Sequence, residues 1–379
     1  MTPLFSKIKT NLSQNLINIP GFRTKRKLVV IESDDWGSIR MPSLEVYDKF
    51  IEKGFNIANS DYNRLDTLEN NDDLVMLYEV LRSHTDTLGN PAVITANVIV
   101  GNPDFKKIKE AGFRDYFVEP VSETFKKYPK REKVLDLWID GNKQGLFHPQ
   151  FHGREHVNVV RWMEALQRRT PEIMFTFENG TTFSGDGDYN FMEVLDYNTP
   201  KDLTLMKESL KQGLDMFEKM FGYRSKSFIP PCYTWDSNVE ETLSKNGIIY
   251  IQGLFVQFIP TGSFGKYKRK YHSMGSHNHH VQRYLFRNCF FEPALTKIND
   301  PVNECLRRIN LAFNWKKPAI IGSHRINFMG DLDPTNRTKN LKLLDDLLKS
   351  ITKRWPDVEF LTSDQLGDLI AKKDVRSNT

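Results

Sequence analysis

The 379-residue chain is short of cysteine, of long apolar runs and of charge of one sign. Its three cysteines, Cys232, Cys289 and Cys305, form no CxxC pair and no even set. That argues against a disulfide framework or a thiolate zinc site and fits a reducing compartment. No apolar stretch reaches the length of a membrane span, and the opening "MTPLFSKIKTNLSQNLINIPGF" is broken by Lys7, Lys9, Asn11 and Gln14, too polar for a signal peptide. Basic and acidic residues, 53 against 48, are interspersed, so the net charge of +5 gives no indication of nucleic acid. There is no repeat and no low-complexity tract. A cytoplasmic protein is expected, its first twenty residues forming a short amphipathic helix that packs on the main domain or lies peripherally on a membrane surface.

What is present is a 39% hydrophobic, 12% aromatic composition, enough for one large core or two smaller ones. Short apolar runs, "KLVVIE", "AVITANVIV", "LFHPQF", "IMFTF", "SKSFIP", "IIYIQG", "YLFRNCF", "PAIIGSH" and "VEFLT", read as strands. Helical spacing occupies 133–140, 158–168, 201–220, 236–245, 301–313 and 337–353. The alternation predicts an α/β fold of parallel strands with helical crossovers. Two segments depart from it, 54–90, rich in Asn and Asp, and 259–283, rich in Gly, Ser and His, and both are expected to be long excursions from the scaffold.

In α/β barrels and open sheets the working residues gather at the carboxyl ends of the strands. Four expected strand ends here are polar: "IESDDWGS", "HPQFHGREH", "PCYTWD" and "SHRIN". His148, His152 and His156 are each four residues apart, so His152 and His156 can project toward one cation. With Asp34 or Asp35 they make a three-ligand set of the zinc type, with His148 the alternative third ligand or a pocket residue. The remaining aspartate is then free to act as a base. Glu32 alternates with Asp34 and is either a substrate contact or the buried partner of an arginine. Trp36 and Trp235 are each a sugar-stacking platform or a core edge. The cluster "HSMGSHNHH" reads as a polar lid over the substrate rather than a second metal site.

These residues resemble the motifs of the NodB-like polysaccharide deacetylase family, over about residues 27–371. The strand ending in Asp34 and Asp35 resembles its first motif, "HGREH" its second, "FIPPCYTWDSNVEETLSKNGI" its third and "PAIIGSH" its last. The resemblance implies Asp34 as general base, Asp35, His152 and His156 as metal ligands, His324 as general acid and the Cys232 backbone N–H in the oxyanion site. Pro231 and Tyr233 follow the third motif's layout. Two departures stand out. The third motif's arginine is Ile229 here, with Arg40 and Arg325 the candidates to replace it beside Asp34, and no aspartate that would orient His324 is found.

The implied fold is a distorted (β/α)7-type barrel spanning 27–371 with insertions at about 54–90 and 259–283, an N-terminal extension 1–26 packed on it and a tail 372–379. The implied cofactor is one divalent ion, zinc first, with cobalt, nickel or manganese compatible. The implied reaction removes an N- or O-linked acetyl group from a sugar, and the expected location makes that sugar an intracellular precursor of polysaccharide or lipopolysaccharide. The alternatives are a non-catalytic glycan-binding relative and a metal-dependent glycoside hydrolase on a related barrel, which needs a second carboxylate across the scissile bond.

Overall fold

The computed structural model describes residues 12–185, 191–295 and 298–377. Its strands are β1 (Lys27–Trp36), β2 (Ile94–Ile99), β3 (Gly101–Pro103), β4 (Val118–Pro120), β5 (Phe147–Gly153), β6 (Ser227–Phe228), β7 (Tyr250–Gly253), β8 (Val256–Pro260), β9 (Tyr267–Tyr271), β10 (Arg283–Phe286), β11 (Cys289–Phe290), β12 (Ala319–His324) and β13 (Val358–Leu361). Nine of them form one parallel sheet in the order β10-β7-β6-β5-β2-β1-β12-β11, with β13 beside the first half of β1.

The two ends of that order are one stretch of chain. β10 and β11 are separated only by Arg287 and Asn288, where the strand changes partner: the Arg287 N–H donates to Gly253 O of β7 (2.9 Å) and the Asn288 N–H to Ile320 O of β12 (3.2 Å). The change closes the sheet into a barrel whose staves are β1, β2, β5, β6, β7, the β10–β11 segment and β12. That is the distorted seven-stave barrel expected from the sequence, with β13 a short extra strand.

Strands covered on both faces read as continuous apolar runs. In β1, Val29 and Ile31 pack outward under the helices, whereas Leu28 and Val30 point into the lower barrel with Tyr250, Leu285, Phe286 and Ile320. The expected helices are found at Val134–Lys143, Val159–Arg168, Pro200–Phe221, Ser237–Lys245, Pro301–Asn314 and Pro334–Arg354. The longest is bounded as its sequence dictates: Thr199 and Asp202 form a capping box around Pro200, and Gly222 ends the helix at φ 76°. One strand expectation fails, and one excursion proves to be structured. "IMFTF" lies in a helix, Pro171–Glu178, because Thr170 caps it, Pro171 opens it, and a short apolar run does not distinguish a buried helix from a strand. The 259–283 excursion contains part of an antiparallel hairpin, β8–β9.

The lower end of the barrel is closed by the helix Ser363–Ser377 and by residues 17–22, which pack over Leu28, Met274 and Ile320. The 54–90 excursion holds the helices Asp61–Leu65 and Asn71–Arg82.

Candidate metal centre and cleft

Adjacent residues of a strand point to opposite faces, so Asp34 and Asp35 cannot both face one cleft on regular β geometry. The chain breaks the alternation at this point. β1 and β2 slip register between Ser33 and Trp36, and Asp35 takes a left-handed φ of 75°. This bulge turns both carboxylates into the same cleft and returns Trp36 to the core. Gly37 follows at φ 84°; its N–H donates to both carboxylate oxygens of Glu69 (2.9 and 3.2 Å), and a Cβ there would meet Ile99 O at 2.5 Å.

Asp35, His152 and His156 are buried and offer three donor atoms within 4.8 Å of one another. His152 is the penultimate residue of β5 and His156 lies in the loop beyond it. The Nε2 atoms of His152 and His156 lie 3.3 and 3.2 Å from Asp35 Oδ1. Two ligands of a tetrahedral zinc-type ion, each about 2.1 Å from it, stand about 3.4 Å apart, so these donors fit such an ion. His152 Nδ1 lies 2.8 Å from Ile229 O; an Nδ1–H donating there leaves Nε2 its lone pair. Burial lowers the pKa of His156 against the pull of Asp35, which favours the neutral, ligating imidazole, and its buried Nδ1 has no partner among the described residues. Burial opposes ionisation of Asp35, but His156, His152 and Arg40 together hold its carboxyl well below the usual range.

Asp34 has a different set of partners. Arg287 donates to both its oxygens (Nη1 to Oδ2, 2.8 Å; Nη2 to Oδ1, 2.6 Å), and Asn97 Nδ2 donates to Oδ1 (2.8 Å). Burial alone would raise its pKa; the Arg287 charge and hydrogen bonds outweigh it and bring the value down to about 2. Arg287 also donates through Nε to Glu32 Oε2 (2.7 Å) and through Nη1 to the Tyr233 hydroxyl (3.1 Å). Glu32 is therefore the buried arginine partner, its other oxygen accepting from Ser363 Oγ (2.7 Å).

In the β1–β12 register Asp34 stands directly opposite His324, and His324 Nε2 lies 3.7 Å from Asp34 Oδ2. The other ring nitrogen, Nδ1, lies 2.6 Å from Glu292 Oε1, and Glu292 is held in turn by Asn327 Nδ2 (2.8 Å). Burial lowers the His324 pKa, but the Glu292 carboxylate reverses this and raises it to about 9. The cleft has a volume of 440 Å³ and takes in Asp34, Asp35, His152, His156 and His324, with Arg40, Tyr62, Glu193, Cys232 and Tyr233 also on its walls. Pro230 and Pro231 carry no N–H, so the Cys232 N–H is the first backbone donor past this corner, and Cys232 and Tyr233 both have left-handed backbones. Tyr62 stands edge-on to His324, with the Arg40 guanidinium over its ring.

Several expected site residues lie elsewhere. Neither Arg40 nor Arg325 takes the place of the arginine beside Asp34; Arg287 does. Arg40 donates to Asp35 Oδ2 (3.2 Å), and Arg325 is buried against Asp66, Glu69 and the Ser38 carbonyl, bracing the turn after Asp35. Trp36 is not a sugar platform: it is fully buried against Phe147 and Phe328, its Nε1 donating to Ser33 Oγ. Trp235 is likewise buried, donating to Glu240. His148 is neither ligand nor pocket residue; at the opposite end of β5, it pairs with Asn142 and Asp364. Pro231 is buried at the start of the short turn Pro231–Tyr233. No described residue of 259–283 lines the cleft, so the lid reading fails: His272 packs on Tyr284 and pairs with Gln257, and burial lowers its pKa to about 4.

Sequence reasoning missed Arg287, Glu292, Asn97 and Tyr62. Arg287 left one trace, a lone charge in the apolar strand "YLFRNCF".

No family model matches the chain, and no curated protein matches it. Solved structures similar in chain course include a protein described as a polysaccharide deacetylase from Mycobacterium smegmatis, at 10% identity over 94% of each chain with a TM-score of 0.47. Another is described as a glycoside hydrolase/deacetylase from Parabacteroides distasonis, at 9% identity over 94% of this chain and 73% of that one, TM-score 0.49. A CE4 family pseudoenzyme from Bacillus anthracis is similar at 10% identity over 89% of this chain and 64% of that one, TM-score 0.37. At these identities no residue's role passes from those proteins to this one, and the site has to be read from its own geometry.

Proposed function

We propose that the chain is a metal-dependent hydrolase that removes an acetyl group, as amide or ester, from a sugar that serves as a precursor of polysaccharide or lipopolysaccharide. The observation that carries this reading is a three-donor metal set sharing one cleft with a carboxylate and an imidazole that are held, but not consumed, by partners behind them.

Asp35, His152 and His156 would hold the ion, zinc being the best match to a compact donor set of two imidazoles and one carboxylate. Such an ion acidifies a bound water and polarises a carbonyl oxygen. The chain's own groups supply the rest. Asp34, kept ionised across the neutral range chiefly by Arg287 and held in place by Asn97, is the proton acceptor. Arg287 and Asn97 fix its plane, so it needs no reorganisation. His324, raised to about 9, is protonated at neutral pH and donates its Nε2 proton to the departing amine or alkoxide, with Glu292 holding Nδ1. The Cys232 N–H is the candidate donor to a tetrahedral oxyanion. Tyr62 and Glu193 line the same cleft and would be the contacts to the sugar.

The test is metal content of the purified protein, followed by acetate release from acetylated nucleotide sugars and lipid-linked sugars after zinc loading. Stoichiometric metal with acetate release supports the reading. Tight metal with no acetate from any acetylated sugar points to a glycan-binding relative, and sugar released in place of acetate points to a glycoside hydrolase.

A further inference from the structure

Residues 12–22 pack with their polar side chains inward and much of their apolar surface outward. Gln14 accepts from Arg307, Asn15 Oδ1 from Trp315 Nε1 (2.9 Å), and the buried Asn18 from Asn288 Nδ2 (2.9 Å). Lys317 Nζ clamps the segment further, donating to the carbonyls of Pro20, Gly21 and Phe22 at 2.7 Å each. Ile17 and Phe22 are the apolar residues that do pack on the barrel. On the outer side Leu12, Leu16 and Ile19, spaced i, i+4, i+7, are 59%, 52% and 40% exposed. A surface segment anchored through amides while it presents aliphatic side chains to solvent is arranged for something apolar to cover it.

The charge around this ridge is mostly basic, and the acids near it are paired; Glu304, close to Gln14, is held by Arg307 and Arg308. Residues 12–26 contain three basic residues, Arg23, Lys25 and Arg26, and no acidic one. Arg23, Lys25, Lys316, Lys372 and Lys373 are exposed next to it; Arg23 bonds Ile19 O (2.9 Å), Lys373 bonds Arg23 O (2.7 Å), and Thr24 N–H donates to Lys316 O (2.7 Å). The nearby acid Asp368 is engaged by Lys226 and the Tyr250 hydroxyl, and Glu359 by Arg26. Residues 20–26 lead into the amino end of β1 and Lys316 precedes that of β12, so this face lies at the opposite end of the barrel from the cleft.

We propose that this face docks on an anionic phospholipid bilayer, the aliphatic ridge entering the interface and the cations meeting the headgroups, with the cleft turned toward the aqueous phase. A second copy of the chain would bring like charges together, and a soluble polyanion has no use for the aliphatic ridge; a bilayer of acidic lipid complements both.

The experiment is cosedimentation of the full chain with vesicles of phosphatidylglycerol and phosphatidylcholine, and with phosphatidylcholine alone. Binding is expected only with the anionic vesicles, weakening as salt is raised. Leu12→Glu with Leu16→Glu, and separately Lys372→Glu with Lys373→Glu, should each reduce the affinity at least tenfold while the melting curve and metal content stay unchanged. The proposal is overturned by no binding to anionic vesicles, by unchanged binding of both variants, or by a dimer in sedimentation that Leu16→Glu dissociates.

Discussion

Glu292 Oε1 lies 2.6 Å from Nδ1 of His324, on the far side of the imidazole from Asp34. One carboxylate grips the ring and another faces its working nitrogen. Only the first is within hydrogen-bonding distance, so the ring's orientation and much of its basicity come from Glu292.

A pH profile tests this pairing. His324 must be protonated to act as acid, and its pKa is raised to about 9, so kcat/KM should hold through neutral pH and fall as pH rises through about 9. Glu292→Gln removes the main cause of the raised value, and the alkaline limb should move toward lower pH. An unmoved limb would show that another group sets it.

The two adjacent aspartates should separate in function. Asp35→Asn or His156→Ala should lower bound metal measured by elemental analysis, because each removes one of three donors. Asp34→Asn should keep the metal and lose about 10²- to 10⁴-fold in kcat, the usual contribution of an acid–base group. Metal loss in Asp34→Asn at native stability would contradict the division.

Arg287→Met leaves Glu32 and Asp34 buried without their cation. Breaking a buried ion pair by removing one partner costs about 3–5 kcal/mol, which urea unfolding would register, and activity should vanish with it. Adding Glu32→Gln should recover part of the stability and none of the activity.

Trp36→Ala separates the core reading from the sugar-platform reading. As a fully buried tryptophan it should cost about 3–5 kcal/mol in stability. The variant's KM, measured where it is still folded, should stay near that of the parent chain.

The fold class was legible because each stave of a buried parallel sheet carries its own apolar run, and the helices between them keep a 3.6-residue period. The candidate metal donors were legible in part: Asp35, His152 and His156 sit at or just past strand ends, in two short stretches of chain, although residue chemistry alone left Asp34 and Asp35 as alternatives. What could not be read was every contact that joins distant segments. Arg287 reaches Asp34 across 253 residues, and nothing local distinguishes it from a strand charge facing solvent. Glu292 stood two residues beyond a strand, where an acid is commonplace, and a search for aspartate passed over it. Trp36 and Trp235 stayed open between two readings because a tryptophan beside a polar turn looks the same whether it faces a ligand or the core. His148 shared the spacing of the two donor histidines but lies at the far end of its strand.

The partner change between β10 and β11 ties the scaffold to the cleft. Arg287, at that seam, is also the residue that grips Asp34, 253 positions away in sequence. A substitution that loosens the seam would therefore be felt at Asp34 even though it touches no residue of the cleft floor.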